Sequence, residues 1–294
     1  MKRAIHSPLA LLLTLAPYAL LAQGTSVTPS PFESIPWQDG PATAAIGGES
    51  EITLPENCRF TGRDGARQFM IATENPPSGD ELGVLVCQPA DEEESPWFVV
   101  FTFDESGYVR DDEGGSLDAD ALLASIRAGT EEGNRERRSR GWAVLTIDGW
   151  VRKPYYDVQS NNLTFAMKAT SSDAFEGSTV NHSVRLLGRR GVMRADLVVS
   201  PEQLETALPA FDRIVASHSF VAGKRYDEWR EGDKVAAYGL TALVAGGAGA
   251  IAAKTGLLAK LWKVLVVAVV GVGAWLKSLF TGKPPTRPDR DAQP

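Results

Sequence analysis

From Val235 to Ala253 the chain carries no charged side chain, and Lys254 ends the run. A helix rising ~1.5 Å per residue crosses a ~30 Å hydrocarbon core in about 20 residues, so this run predicts a membrane helix. It is only weakly hydrophobic. Small residues recur along it at helical spacing: Ala242, Gly246 and Ala250, with Ala245, Gly249 and Ala253 beside them. In lipid such a face lets another helix approach closely. A second run, Leu261 to Phe280, is charge-free from Val264 to Leu276. Trp262 and Trp275 stand where interfacial aromatics are expected, and Lys263 and Lys277 can snorkel. Two runs predict either a helical hairpin or a single span. Lys254, Lys260 and Lys263 lie between the runs, and Lys277, Lys283, Arg287 and Arg290 follow the second. Positive charge on both sides of the second run leaves one span and two spans open.

The N-terminus predicts export. Lys2 and Arg3 precede a mostly apolar stretch, Leu9 to Leu21, and Ala22 is a small residue suited to cleavage. A short N-terminal anchor is the alternative, although the run falls short of a span. The cysteines are Cys58 and Cys87, both in the part expected outside the cytoplasm. An oxidising compartment permits a disulfide between them, and two separate buried thiols remain the alternative. The resulting organisation is a signal peptide over 1–22, an exported domain over 23–233, a membrane anchor over 234–280 and a basic, Pro-rich tail over 281–294. That places the chain in a bacterial inner membrane with its main domain in the periplasm. Its partners are then the lipid bilayer and, through the small-residue face, another membrane protein or a second copy. With a net charge of −7 the chain is a poor nucleic-acid ligand, because phosphate binding needs an excess of Lys and Arg.

The body alternates short β patterns with helices. Ser30 to Pro41 reads as an extended arm, Ser50–Leu54 and Leu82–Cys87 as strands, and Asp64–Thr73 as a helix closed by Asn75, Pro76 and Pro77. Trp97 to Phe103 has aromatic and β-branched residues on both faces, which predicts a central strand covered on both sides. A helix follows Asp118 and Asp120, with Ala119, Leu122, Leu123 and Ile126 as its stripe. Glu131–Arg135 and Glu136–Arg140 are spaced as i,i+4 pairs. Leu145/Ile147/Val151 and Leu163/Phe165/Met167/Ala169 alternate. Val180–Leu187 and Val192–Val199 flank Gly188-Arg189-Arg190-Gly191, a hairpin signal. Ser200-Pro201-Glu202-Gln203 predicts a capping box, and Leu204, Leu208, Phe211 and Val215 a helix with a kink at Pro209. The fold class expected is α+β, a mainly antiparallel sheet with flanking helices, followed by a transmembrane helix or hairpin.

Several blocks in order carry a resemblance. They are Phe98 to Asp112, Leu117 to Leu123, Gly149 to Asp157, Asn181 to Gly191 and Gly232 to Gly249. Together they resemble the bacterial family described as predicted membrane-anchored proteins, domain-of-unknown-function family 2167. The resemblance implies an exported domain and a C-terminal anchor. It implies no activity and no catalytic residue, and it adds nothing to the Cys58–Cys87 pairing.

Chemistry-bearing motifs are sparse. No phosphate loop, nucleophile elbow, HExxH or metal-spaced Cys/His cluster occurs, and no cofactor is implied. His6 belongs to the signal, leaving His182 and His218. Alternation puts His182 on the face of Val180, Val184 and Leu186, where a histidine is more often a packed core residue than a catalyst. Asp104, Asp111, Asp112, Glu113, Asp118 and Asp120 form an acidic stretch that fits no EF-hand spacing and reads as a solvated loop. Arg189 and Arg190 sit at a hairpin tip suited to phosphate or to solvent. Tyr155 and Tyr156 read as packing or as a contact patch. Three functions follow: a non-catalytic interaction or scaffold domain on a membrane anchor, an envelope hydrolase assembled around His182, or a ligand-sensing subunit of a membrane complex.

Overall fold

The computed structural model describes residues 30 and 32–244, apart from 90, 92–93, 113–116 and 174–176. In chain order the elements are β1 (Gln38–Asp39), β2 (Ala42–Ile46), β3 (Ser50–Leu54), β4 (Cys58–Gly62), α1 (Arg63–Ala72), β5 (Glu81–Cys87) and β6 (Trp97–Asp104). Then come α2 (Ala119–Ser139), β7 (Leu145–Asp157), β8 (Asn162–Ser171), β9 (Ser178–Leu187), β10 (Val192–Val199), α3 (Leu204–Ser217), β11 (Ser219–Phe220) and α4 (Leu240–Val244). Eight strands form one sheet in the order β1-β4-β5-β6-β10-β9-β8-β7, and β11-β3-β2 form a second. Every neighbouring pair is antiparallel. The class is α+β with a mainly antiparallel sheet.

The alternation in β6 explains its central place. Val99 and Phe101 join Leu85, Ala195 and Leu197 in a core closed by Leu204, Leu208 and Phe211 of α3 and by the small sheet. Phe98 and Val100 point the other way, onto Phe69 and Met70 of α1. The arm before β1 is not merely extended: Phe32 and Ile35 are buried in that second core, and Phe32 meets Phe69 edge-on at 5.6 Å. Strand β4 had no clear pattern in the sequence. Its place depends on Gly83 of the neighbouring β5, where a Cβ would lie 2.2 Å from the Phe60 ring. A third core, under α2, takes Leu163, Phe165, Met167 and Ala169 of β8 with Leu122 and Ile126.

Side-chain chemistry fixes one helix start as expected and another differently. Asp118 does cap α2, accepting from the backbone N–H groups of Asp120 and Ala121. At α3, the Ser200 hydroxyl instead donates to the Gln203 side chain at 2.9 Å, and the helix proper starts at Leu204. It continues through Pro209, which forgoes one backbone hydrogen bond. On α2, Glu136 pairs with Arg140 as spaced, but Glu131 reaches Arg138 at 2.6 Å and Arg135 pairs with Glu132. These pairs are exposed and contribute little to stability. Asn134 ties α2 to the start of β7, bonding both the carbonyl and the N–H of Leu145 at 2.8 and 2.9 Å.

The chain after β11 is a strap across one end of the large sheet. Arg189 N–H donates to the Lys224 carbonyl, and Tyr108 exchanges backbone bonds with Lys234 and Ala236, each at 2.8 Å. Tyr238 donates its hydroxyl to Asp104 at 2.5 Å. Leu240, Leu243 and Val244 of α4 are buried in the core under α2. Within the charge-free run, Ala236 and Tyr238 pack against the core that takes in Leu240, Leu243 and Val244. Among the described residues no helix is long and apolar enough to cross a membrane. The remainder of the first run, the second run, the tail and the signal region lie outside the described residues.

Candidate functional site

Cys58 and Cys87 are directly opposed on β4 and β5. A disulfide joins them, with Cα atoms 4.1 Å apart, and both side chains are buried in the core beneath α3. Of the small-residue face, Ala242 is buried in α4, while Ala245, Gly246, Gly249, Ala250 and Ala253 lie outside the described residues.

His182 is 2% exposed and occupies the apolar face that alternation assigned to it, opposite Ala166 and Leu197 on the neighbouring strands. Its ring stands edge-on to Phe211 of α3 at 5.5 Å, and Nδ1 has no hydrogen-bond partner. Burial, aided by the positive field of Arg152, pushes the imidazole down to about 4. A neutral ring in apolar packing with no carboxylate bonded to Nδ1 lacks the orienting group that a general base requires.

The other titratable candidates are individually engaged. Arg189 makes two bonds to Asp233 at 2.7 and 2.8 Å, which hold the Asp233 carboxyl down at about 2. Arg190 and Lys224 both reach Glu49, at 3.2 and 2.9 Å. Arg189 therefore fastens the strap, while Arg190 is paired with Glu49 at the turn between β2 and β3. Asp104 and Asp111 accept from Tyr238 and Tyr156 respectively, and Asp118 is the helix cap. Among the described residues no three His, Cys, Asp or Glu side chains converge as metal ligands. Tyr155 and Tyr156 separate: Tyr155 is 66% exposed, while Tyr156 is buried and burial raises its phenol above the ordinary range.

Two cavities adjoin these groups. One, of about 320 Å³, is lined by Glu49, Arg63, Asp80, Asp104, Glu105 and Arg194 among others. Burial raises the Asp80 carboxyl, and Arg194 opposes that shift. Arg63 is spent on the Gly79 carbonyl and Arg194 on the Thr102 hydroxyl. Its two arginines are thus held by a carbonyl and a hydroxyl, and the cavity carries charges of both signs, which suits a polar contact. The other cavity, of about 420 Å³, has Leu186, Val215 and Phe220 in its wall with His218, Arg225 and Tyr226. Burial pushes His218 down to about 4, and its Nε2 has no partner.

A comparison with protein families matches residues 38–276 to the family described as "Protein of unknown function (DUF2167)". The chain belongs to this family. No curated protein sequence matches it. Among solved structures, the cyanobacterial PsbP (CyanoP) of Synechocystis sp. PCC 6803 is similar at a TM-score of 0.34 and 11% identity. That alignment covers 68% of this chain and 98% of CyanoP.

In this DUF2167 member the sequence passed over one group of residues that the fold brings together. On the sheet face opposite His182, Arg185 of β9 donates to Asp196 of β10 at 2.7 Å, and Ser183 donates to the same carboxylate oxygen at 2.6 Å. Arg185 is 0% exposed and lies over the Phe165 ring at 5.1 Å. Desolvation pulls its guanidinium down, against the Asp196 charge. The only signal was polar residues at alternate positions of β9, which resembles a solvent-facing strand.

Proposed function

We propose that the chain is a membrane-anchored envelope protein, exported to the periplasmic side, whose α+β body is a non-catalytic interaction or scaffold module. The observation that carries this reading is the Cys58–Cys87 disulfide inside the core, because such a bond persists in an oxidising compartment and is rare in a reducing one. The signal-like N-terminus and the apolar C-terminal runs point the same way. The non-catalytic part rests on the engagement of each candidate group: His182 in apolar packing, Arg189 and Arg190 in ion pairs, Asp104 and Asp111 on tyrosines. No observation favours the hydrolase around His182.

Fusion of alkaline phosphatase after Arg230, in a Gram-negative host, tests export. Phosphatase activity is expected. A fluorescent protein that matures only in the cytoplasm, placed at the same site and found bright, would overturn the reading. Carbonate-resistant membrane association of the full chain is expected from the anchor, and release by carbonate would remove that part.

A further inference from the structure

The cavity of about 320 Å³ at the end of β6 holds opposite charges that do not meet. Of its carboxylates, Asp104 takes the Tyr238 hydroxyl, and Glu49 takes Arg190 and Lys224. Glu105 stands 3.9 Å from Arg190. Asp80 differs. Among the described residues its carboxylate accepts no hydrogen bond and enters no ion pair, although Arg63 and Arg194 line the same cavity. Burial raises this carboxyl; Arg194 and Arg63 oppose the shift, while Glu81 and Asp104 add to it. Each arginine uses one nitrogen inside the protein, Nη1 of Arg63 on the Gly79 carbonyl and Nε of Arg194 on the Thr102 hydroxyl. A guanidinium carries several further N–H donors, so both keep some for a ligand.

The fold builds this separation. Glu81, 2% exposed, braces the turn that carries Asp80. Its carboxylate accepts from the Ser78 N–H at 2.6 Å, the Ser78 hydroxyl at 2.7 Å and the Gly79 N–H at 2.9 Å. The Asp80 N–H donates to the Ser78 hydroxyl at 3.1 Å, and the Asp80 carbonyl accepts from the Phe103 N–H at 3.4 Å. None of these bonds uses the Asp80 carboxylate. The pairing of β5 with β6 slips between Glu81 and Gly83, and Leu82, the residue at the slip, enters the cavity wall. Such bulges re-aim side chains beside functional sites. Gly47, at a φ of +57°, makes room for it, since a Cβ there would lie 2.7 Å from Leu82. With Phe103, Leu82 gives the cavity an apolar wall.

The charges select among ligands. A simple anion would meet Arg63 and Arg194 but also the carboxylates of Glu49, Asp80, Asp104 and Glu105. A simple cation would meet those carboxylates but also two guanidinium groups. A molecule with both charges a few ångströms apart satisfies each set. We propose that this cavity binds a free α-amino acid, its carboxylate on Arg63 and Arg194 and its ammonium group on Asp80. The ligand's own side chain lies against Leu82 and Phe103. Guanidinium–carboxylate and ammonium–carboxylate bonds are charge-assisted and belong to the stronger class of hydrogen bonds. The cavity is at the small end of ligand pockets, which run from roughly 300 to 1,000 Å³. This gives the interaction module a small-molecule ligand, and it depends on neither export nor anchoring.

Isothermal titration calorimetry of the full chain in mild detergent tests it, with each common L-amino acid as the probe up to about 10 mM. Propionate and ethylamine serve as the two halves of the ligand. Saturable binding of at least one amino acid is expected, about tenfold or more tighter than either half. Asp80→Asn should weaken that binding about tenfold or more. It should leave the ligand-free melting temperature unchanged, because the carboxylate makes no bond within the fold. Arg63→Gln should weaken binding from the carboxylate end. Saturation by no amino acid, propionate or ethylamine binding as tightly as the amino acid, or unchanged affinity in Asp80→Asn would each overturn the proposal.

Discussion

His182 gives the sharpest test of the packing, because its burial has a calculable pH signature. The unfolded imidazole titrates near 6.5 and the folded one at about 4. A lowered folded value means that the unfolded chain binds the proton first as pH falls. The contribution is therefore fully present above 6.5 and is lost as pH falls from 6.5 to 4. At pH 5 that loss amounts to about 2 kcal/mol, and it approaches about 3 kcal/mol below pH 4. His182→Leu keeps an apolar side chain of similar bulk against Phe211 and removes the titration. Urea unfolding of the full chain in mild detergent, followed by tryptophan fluorescence at about pH 7.5 and pH 5, measures both proteins. The wild type should lose about 2 kcal/mol more than the variant over that interval. His218, with a similar downward shift, is present in both and cancels. The Asp233 carboxyl, held at about 2, titrates below the interval. Equal losses would mean that the His182 ring is hydrated when folded, and the apolar reading of that face would fail.

Other tests address the remaining contacts. Replacing Cys58 and Cys87 together by alanine should lower stability by about 3 kcal/mol, read as a urea midpoint shift that reducing agent no longer changes. Arg185→Leu or Asp196→Leu alone should destabilise by about 3–5 kcal/mol by stranding a buried charge. The double variant should recover most of that loss, and a double-mutant cycle without such coupling would contradict the buried pair. Arg189→Ala should free the strap from the β9–β10 hairpin. Limited proteolysis should then cut between residues 221 and 238 faster than in the wild type, with the rest of the body resistant.

How much of this was legible in the sequence depended on whether local pattern or distant contact decided each element. Trp97–Phe103, with large residues on both faces, could only be an inner strand, and Gly188–Gly191 could only be a hairpin turn. Those two signals set the sheet's centre, and Asp118 set the start of α2. Strand β4 was not legible, because Phe60 is accommodated by an absent side chain at Gly83 on a different strand. The three-stranded sheet was only one-third legible: β3 alternates, whereas the two residues of β11 acquire strand form by pairing with Ser50 and Glu51.

The same division holds for the functional groups. Alternation alone placed His182 on the apolar face of its strand, since side chains point to opposite faces with period two. Alternation also put Ser183 and Arg185 on the opposite face, where their polarity suggests water. Only the tertiary structure shows that face to be buried, with Arg185 held by Asp196 from a strand that the turn folds back beside it. The charge-free run posed the same difficulty. Apolar content measures the drive to leave water, and lipid or a protein core satisfies it equally. For Leu240, Leu243 and Val244 the fold supplies a protein core, because the strap carries them under α2.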